Sequence, residues 1–175
     1  ITDLTAKHVD AIITIGTPFS SEADIRQLQK VAETIPVITI NSDYHQPNMY
    51  SVVCNEKEGM RSAVHALAKK GCQSVLYLYD ALTYSGRHKL DGFREGIREL
   101  KLDASAKLIQ QIPRTLAAAE AIIDGLIAAD VHFEAILTSE DVLAVGAQRA
   151  ALRHGHVLPV IGCNHSILAQ CATPT

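Results

Sequence analysis

Glu140 and Asp141 stand side by side where the apolar run EAILT gives way to the amphipathic stretch DVLAVGAQRAALRHG. A helix N-terminus carries unpaired N–H groups and partial positive charge, so a neutral, glycine-rich turn there suits a phosphate. Two carboxylates already supply the negative charge. Such a spot repels phosphate and offers acceptors to hydroxyl groups. The same pair can instead serve the helix alone, because acidic residues in a first turn stabilise it by roughly 0.3–1 kcal/mol. On the residues alone both readings stay open.

Arg87 and Lys89 flank His88 just after the loop YDALTYSG, at the start of another helical pattern. Positive charge is unfavourable at a helix N-terminus. The cations are therefore either a solvated helix start or partners for a hydroxyl-rich or acidic ligand. Phe19, Tyr44, Tyr79 and Tyr84 lie near strand ends and could stack on a sugar ring, with core or rim packing as the plainer role. Aromatics make up only 5% of the chain and Trp is absent, so any stacking platform is thin.

Catalytic and metal chemistry have little footing. The sequence holds no G-x-G-x-x-G, no P-loop and no G-x-S-x-G. Asp80 and Asp141 near strand ends resemble half of a phosphoacceptor pocket, but no acidic pair near the first strand completes it. His154 and His156 sit in a helix-terminating Arg-His-Gly-His turn, where a protonated imidazole complements the helix C-terminus better than it ligates a metal. No cofactor and no enzymatic activity are expected.

The elements that must carry these residues follow from periodicity. Residues 11–15, 37–40, 74–79, 107–112, 134–138 and 159–162 read as strands, with 51–54 a weaker one. Their apolar runs are mostly unbroken, as in strands covered on both faces. Helical patterns lie between them. One opens on the capping box Ser21/Asp24, a second on Asn55/Glu58 and closes at Gly71, and a third carries the stripe Leu90, Phe93, Ile97, Leu100. The fourth, 116–129, is apolar nearly all round and is expected to be the most buried. A fifth runs from near Glu140 to Gly155. Strict alternation implies parallel sheets with helical crossovers, whose ligands sit beyond the carboxyl ends of the strands.

Sixteen basic and nineteen acidic residues, for a net charge of −3 over 175 residues, leave no electrostatic footprint for nucleic acid or an anionic membrane. No apolar segment is long enough to span a bilayer. Cys54, Cys72, Cys163 and Cys171 show no metal-ligand spacing and read as reduced, mostly buried thiols in a cytoplasmic protein.

Taken in order, HVDAIIT, IPVITIN, VVCNEKEGMRSAVHALAKKG, SGRHKLDGFREG, TSEDVLAVGAQRAALRHG and VIGCN resemble the effector-binding core of LacI-family transcription regulators, across essentially the whole chain. The resemblance implies an α/β protein of the type I periplasmic-binding-protein fold, with two Rossmann-like parallel-sheet lobes. Residues 1–55 would form part of the N-terminal lobe and residues 56–175 the C-terminal lobe, the chain being a fragment with an incomplete first lobe. It also implies a sugar-like or polyol effector closed between the lobes, a homodimer, and repression through operator DNA bound by a helix-turn-helix headpiece outside this chain. A periplasmic sugar-binding protein of a transporter shares the fold and is the alternative.

Site positions carry over singly from the resemblance. They are Asn41 at the end of strand VITI, Asn55 at the crossover, Arg87 and Lys89 near Gly92, Glu140 and Asp141 at a family Asn-Asp pair, and Asn164 at the Asp of a Gly-x-Asp. Two departures bear on the ligand. Lys89 replaces a planar Arg fork with a point charge, and amide and acid are exchanged between positions 140 and 164. The link VLPVIG is also shorter than the family's.

Overall fold

The computed structural model describes residues 7–16 and 21–172. Phe19 lies outside them. The chain divides into two compact units, residues 1–55 with 82–87, and residues 56–81 with 88–175.

In the first unit, β1 (Ile12–Ile15), β2 (Val37–Ile40) and β3 (Met49–Val52) form a parallel sheet in that order, with Ile12 opposite Val37 and Ile38 opposite Tyr50. Helix α1 (Glu22–Ala32) starts on the expected capping box. The Ser21 hydroxyl accepts from the Asp24 N–H at 3.1 Å, and the Asp24 carboxylate accepts from the Ser21 N–H. Its apolar face, Leu28, Val31 and Ala32, buries against Ile12 and Val37. The expectation of strands covered on both faces does not hold here. Ile13 and Ile15 are 64% and 72% exposed, and Tyr50 and Val52 are also open. The polar letter of the run IITI, Thr14, lies on the buried side while Ile13 and Ile15 lie on the open one, so hydropathy does not mark the uncovered face. Strand β3 also begins two residues before the expected 51–54, because Val37 N–H reaches back to the Asn48 carbonyl and sets the register.

The second unit is a four-stranded parallel sheet in the order β5 (Ile109–Gln111), β4 (Val75–Tyr79), β6 (Ala135–Thr138), β7 (Val160–Ile161). Here the two central strands are covered on both faces: Val75 to Leu78 and Ala135 to Thr138 are all buried. On one side α2 (Glu56–Lys69) and α3 (Tyr84–Leu100) supply Met60, Val64, Leu67, Leu90, Phe93 and Ile97. On the other, α4 (Leu116–Ala128) and α5 (Asp141–Arg153) supply Ile123, Leu126, Leu143 and Ala147. Helix α2 ends as expected at Gly71, whose φ of 93° would strain any other residue. A short α6 (Ile167–Gln170) follows β7.

The expectation that the fourth helical pattern is the most buried is overturned. Only Ala119, Ile123 and Leu126 of α4 are buried, against eight residues of α5, from Asp141 to Ala151. The alanines of α4 made it look apolar all round, but Ala117, Ala121 and Ala128 lie exposed on its outer face. It is α5 that is sandwiched, and its small side chains allow the approach. A Cβ on Gly146 would lie 2.6 Å from the Leu116 carbonyl and 2.8 Å from the Ala119 Cβ. The cysteine expectation also needs correction. All four thiols are free, but only Cys72 is buried, and Cys54 and Cys171 are exposed.

Candidate functional site

All four strands of the second unit point their carboxyl ends the same way, and the polar residues gather at that end. Asp80 follows β4, Gln111 ends β5 and Arg114 comes after it, Ser139 and Glu140 follow β6, and Gly162 to Asn164 follow β7. The backbone fixes them first. Ser139 N–H donates to the Leu78 carbonyl at 2.9 Å, and the Thr138 hydroxyl donates to the Glu140 carbonyl at 2.8 Å.

The two adjacent carboxylates have different environments. Asp141 is buried, and its carboxylate accepts the Ser166 N–H while its own N–H donates to the Cys163 carbonyl at 3.1 Å. Its Oδ1 sits where a Cβ on Gly162 would approach to 2.5 Å. Asp141 therefore holds the 162–166 loop against the start of α5. Glu140 occupies the N-cap position of α5, yet its side chain makes no capping hydrogen bond. It turns instead to Asn164, whose amide donates to Oε2 at 2.7 Å, and to Lys89, whose Nζ lies 3.7 Å from Oε1.

Lys89 is 4% exposed, and its ammonium donates to the Ser139 carbonyl at 3.0 Å. Burying a charge is costly unless it is paired and hydrogen-bonded, and the Ser139 carbonyl with the Glu140 carboxylate meets that need. Burial pushes the Glu140 carboxyl above the ordinary carboxylate range, and Asp80 and Asp141 add to that rise, while Lys89 and Arg114 pull against it. The Asp80 carboxylate accepts from the Ser139 hydroxyl at 3.2 Å and lies 3.7 Å from Arg114. A cavity of about 380 Å³ adjoins the cluster, lined by Met60, Lys89, Leu137, Ile161, Cys163 and Asn164 among others. The edge thus alternates donors and acceptors around a buried cation, an arrangement that suits a neutral ligand bearing several hydroxyl groups.

The remaining residues singled out in the sequence belong to the first unit, apart from Tyr79. Asn41 follows β2 in the left-handed region, φ 62°, with its N–H donating to the Val52 carbonyl at 2.9 Å. Asn tolerates that conformation better than most residues. Beside it the Thr39 hydroxyl donates to the Ser42 carbonyl at 2.7 Å, and the Ser51 hydroxyl to Asp43 at 2.9 Å. Asn55 ends this unit's first segment. The Arg87 guanidinium donates to the Leu82 carbonyl at 2.9 Å, so its cation is tied back to its own helix start. Tyr44 packs against the core of this unit, and Tyr84 opens α3. Tyr79, in the second unit, stacks on Tyr77 at 5.8 Å between ring centroids.

Ser139 and Arg114 were missed in the sequence reading. Ser139 follows β6 directly, so the rule that ligand-facing groups lie beyond strand ends points to it, whereas Ile112 and Pro113 separate Arg114 from the end of β5. The bond from Lys89 to the Ser139 carbonyl left no signal, because a backbone acceptor has no letter.

Parallel sheets with polar groups at their strand ends are the architecture of α/β ligand-binding cores. The match to a family model described as periplasmic binding protein-like domain spans residues 64–175. The chain belongs to this family, in the form of the LacI-family effector-binding core. It is 30% identical to an HTH-type transcriptional regulator of Lachnoclostridium phytofermentans over 177 residues, covering 98% of this chain and 53% of that protein. Among solved structures, it superposes on the Escherichia coli transcriptional repressor AscG with a TM-score of 0.82 at 25% identity, over 99% of this chain and 64% of that one. A sugar-binding LacI-family regulator from Escherichia coli, complexed with phosphate, gives a TM-score of 0.86 at 24% identity over 99% and 63%. The chain spans about half the length of the curated relative.

Proposed function

We propose that this chain is the effector-sensing core of a cytoplasmic LacI-type transcription regulator, a repressor that binds a sugar, polyol or related small molecule. The observation that carries the reading is the run Lys89–Glu140–Asn164 at the carboxyl ends of β6 and β7, held in place by Ser139 and Asp141. It presents charge-balanced hydrogen-bonding groups suited to hydroxyls. Asn41, Asn55 and Arg87 are the first unit's own candidate polar groups; that unit contributes to the N-terminal lobe and the second unit contributes the C-terminal lobe. Glu140 and Asn164 meet ligand hydroxyls directly, and Asp141 positions their loop. The relatives are regulators, which favours this reading over a transporter's binding protein. Operator DNA is bound by a headpiece outside this chain, with two copies paired as a dimer. An effector shifts such a dimer only through its differential affinity for the two states.

Thermal-shift screening of the full-length protein against sugars, polyols, sugar acids and nucleosides tests the proposal. A saturable rise in melting temperature with a hydroxylated ligand, lost in Glu140→Ala and Asn164→Ala, is expected. Turnover of the ligand, or a normal shift in both variants, would overturn it.

A further inference from the structure

Helix α3 carries Arg94 and Arg98 at i and i+4, and Lys101 follows its C-terminus in the left-handed region at φ 54°; the three cations line one cavity. Beneath them opens a cavity of about 630 Å³, within the roughly 300–1000 Å³ of small-molecule pockets. Its floor is the buried side chains of Phe93, Ile97, Leu102 and Leu108, which already belong to the second unit's core or pack beside it. The outer wall is the loop 103–106, ahead of the edge strand β5.

We infer that this cavity is a second ligand site, separate from the carboxyl ends of the strands, and that it takes a small organic acid with an apolar aryl or acyl body. The apolar floor receives the body and the cationic rim receives the acid group. Cations near a helix C-terminus also complement the helix dipole, and that accounts for Arg98 and Lys101 singly. It does not account for Arg94, nearly two turns back from Lys101. Like charges at i and i+4 repel, and the Arg98 guanidinium lies 3.7 Å from the Glu95 carboxylate, which Lys57 also engages at 2.9 Å. A bound anion would relieve that repulsion. The one acid in the wall, Asp103, is turned onto its own loop, accepting the Ser105 N–H at 2.9 Å.

The test uses two fluorescent probes on the full-length protein: 8-anilino-1-naphthalenesulfonate, an amphipathic anion, and N-phenyl-1-naphthylamine, its neutral analogue. The expected result is saturable binding of the anion at one per chain, weakened at least 10-fold by R94E/K101E while the neutral probe changes less than 2-fold. Ala106→Trp, which fills the cavity, should abolish both. R94Q/K101Q guards against misfolding, and should weaken the anion in the same direction with an unchanged melting temperature. Glu140→Ala should leave both probes unaffected, so that failure here and failure of the effector site are told apart. Non-saturable anion binding, equal loss of both probes on charge reversal, or full binding to Ala106→Trp would overturn the inference.

Discussion

The Asn164 amide donates to the Glu140 carboxylate at 2.7 Å across the ends of two neighbouring strands. The pair joins the loop after β7 to the cap of α5, with the amide N–H donating and the carboxylate accepting. Asn164→Asp would set two carboxylates at hydrogen-bond distance, where one must take up a proton or both must separate. A loss of about 1–2 kcal/mol is expected in urea melts at neutral pH, by analogy with other like-charge contacts. The double variant Glu140→Asn with Asn164→Asp restores an amide–acid pair and should recover more than half of it. Strictly additive losses in that cycle would show that the two side chains do not depend on each other.

The pH dependence of stability should carry a signature of Glu140. Burial raises its carboxyl above the ordinary range, so between about pH 4.5 and the raised value the folded state binds more protons than the unfolded chain. Stability from this group is therefore greatest at low pH and falls as pH rises through that window. Glu140→Gln removes the effect. The difference in urea midpoint between wild type and Glu140→Gln should shift against wild type as pH rises from 4 to 7. A difference that is flat or of opposite slope would show that the carboxyl is not held up by burial.

Much of the fold could be read in the letters because its determinants are local. The Ser21/Asp24 box, the stop at Gly71 and the stripe Leu90–Phe93–Ile97 each act within a few residues, and each appears where expected. What the letters left open depends on partners distant in sequence. Whether α4 or α5 is sandwiched depends on layer order, and an Ala-rich helix reads alike on either side. The site was half legible. Glu140 and Asn164 drew attention by an exchange of acid and amide, but the division of labour between Glu140 and Asp141 was not readable. Both occupy a helix start, and only the position of the 162–166 loop decides which one is used up structurally.

Two glycines in the α4–α5 pair should respond oppositely to alanine. Gly125 in α4 has nothing within 4 Å of an added Cβ, so Gly125→Ala should stabilise by about 0.5–1 kcal/mol through helix propensity. Gly146 in α5 gains the same propensity but meets the Leu116 carbonyl at 2.6 Å. Backbone cannot move aside cheaply, so overpacking of about 1–3 kcal/mol should win. Thermal melts of the two variants, with movements of opposite sign, check the α4–α5 contact. A stabilised Gly146→Ala would mean that the helices lie farther apart.

Lys89 and Glu140 should show strong coupling because one is buried and the other partly so. Lys89→Met keeps most of the apolar stem volume but deprives the Ser139 carbonyl of its donor and leaves Glu140 without its nearest cation. A buried acceptor without a donor costs about 1–3 kcal/mol, and the charge left on Glu140 adds to it. Glu140→Gln alone leaves the buried ammonium with only a carbonyl for company. Replacing both removes the two charges together, and such double replacements are often near neutral. The double variant should therefore be more stable than the sum of the single losses implies, by about 1 kcal/mol or more in urea melts. It should still fail to respond to the effector, since the recognition groups are gone. A double variant that loses the sum of both, or one that keeps its ligand response, would place the cation and the carboxylate in unrelated roles.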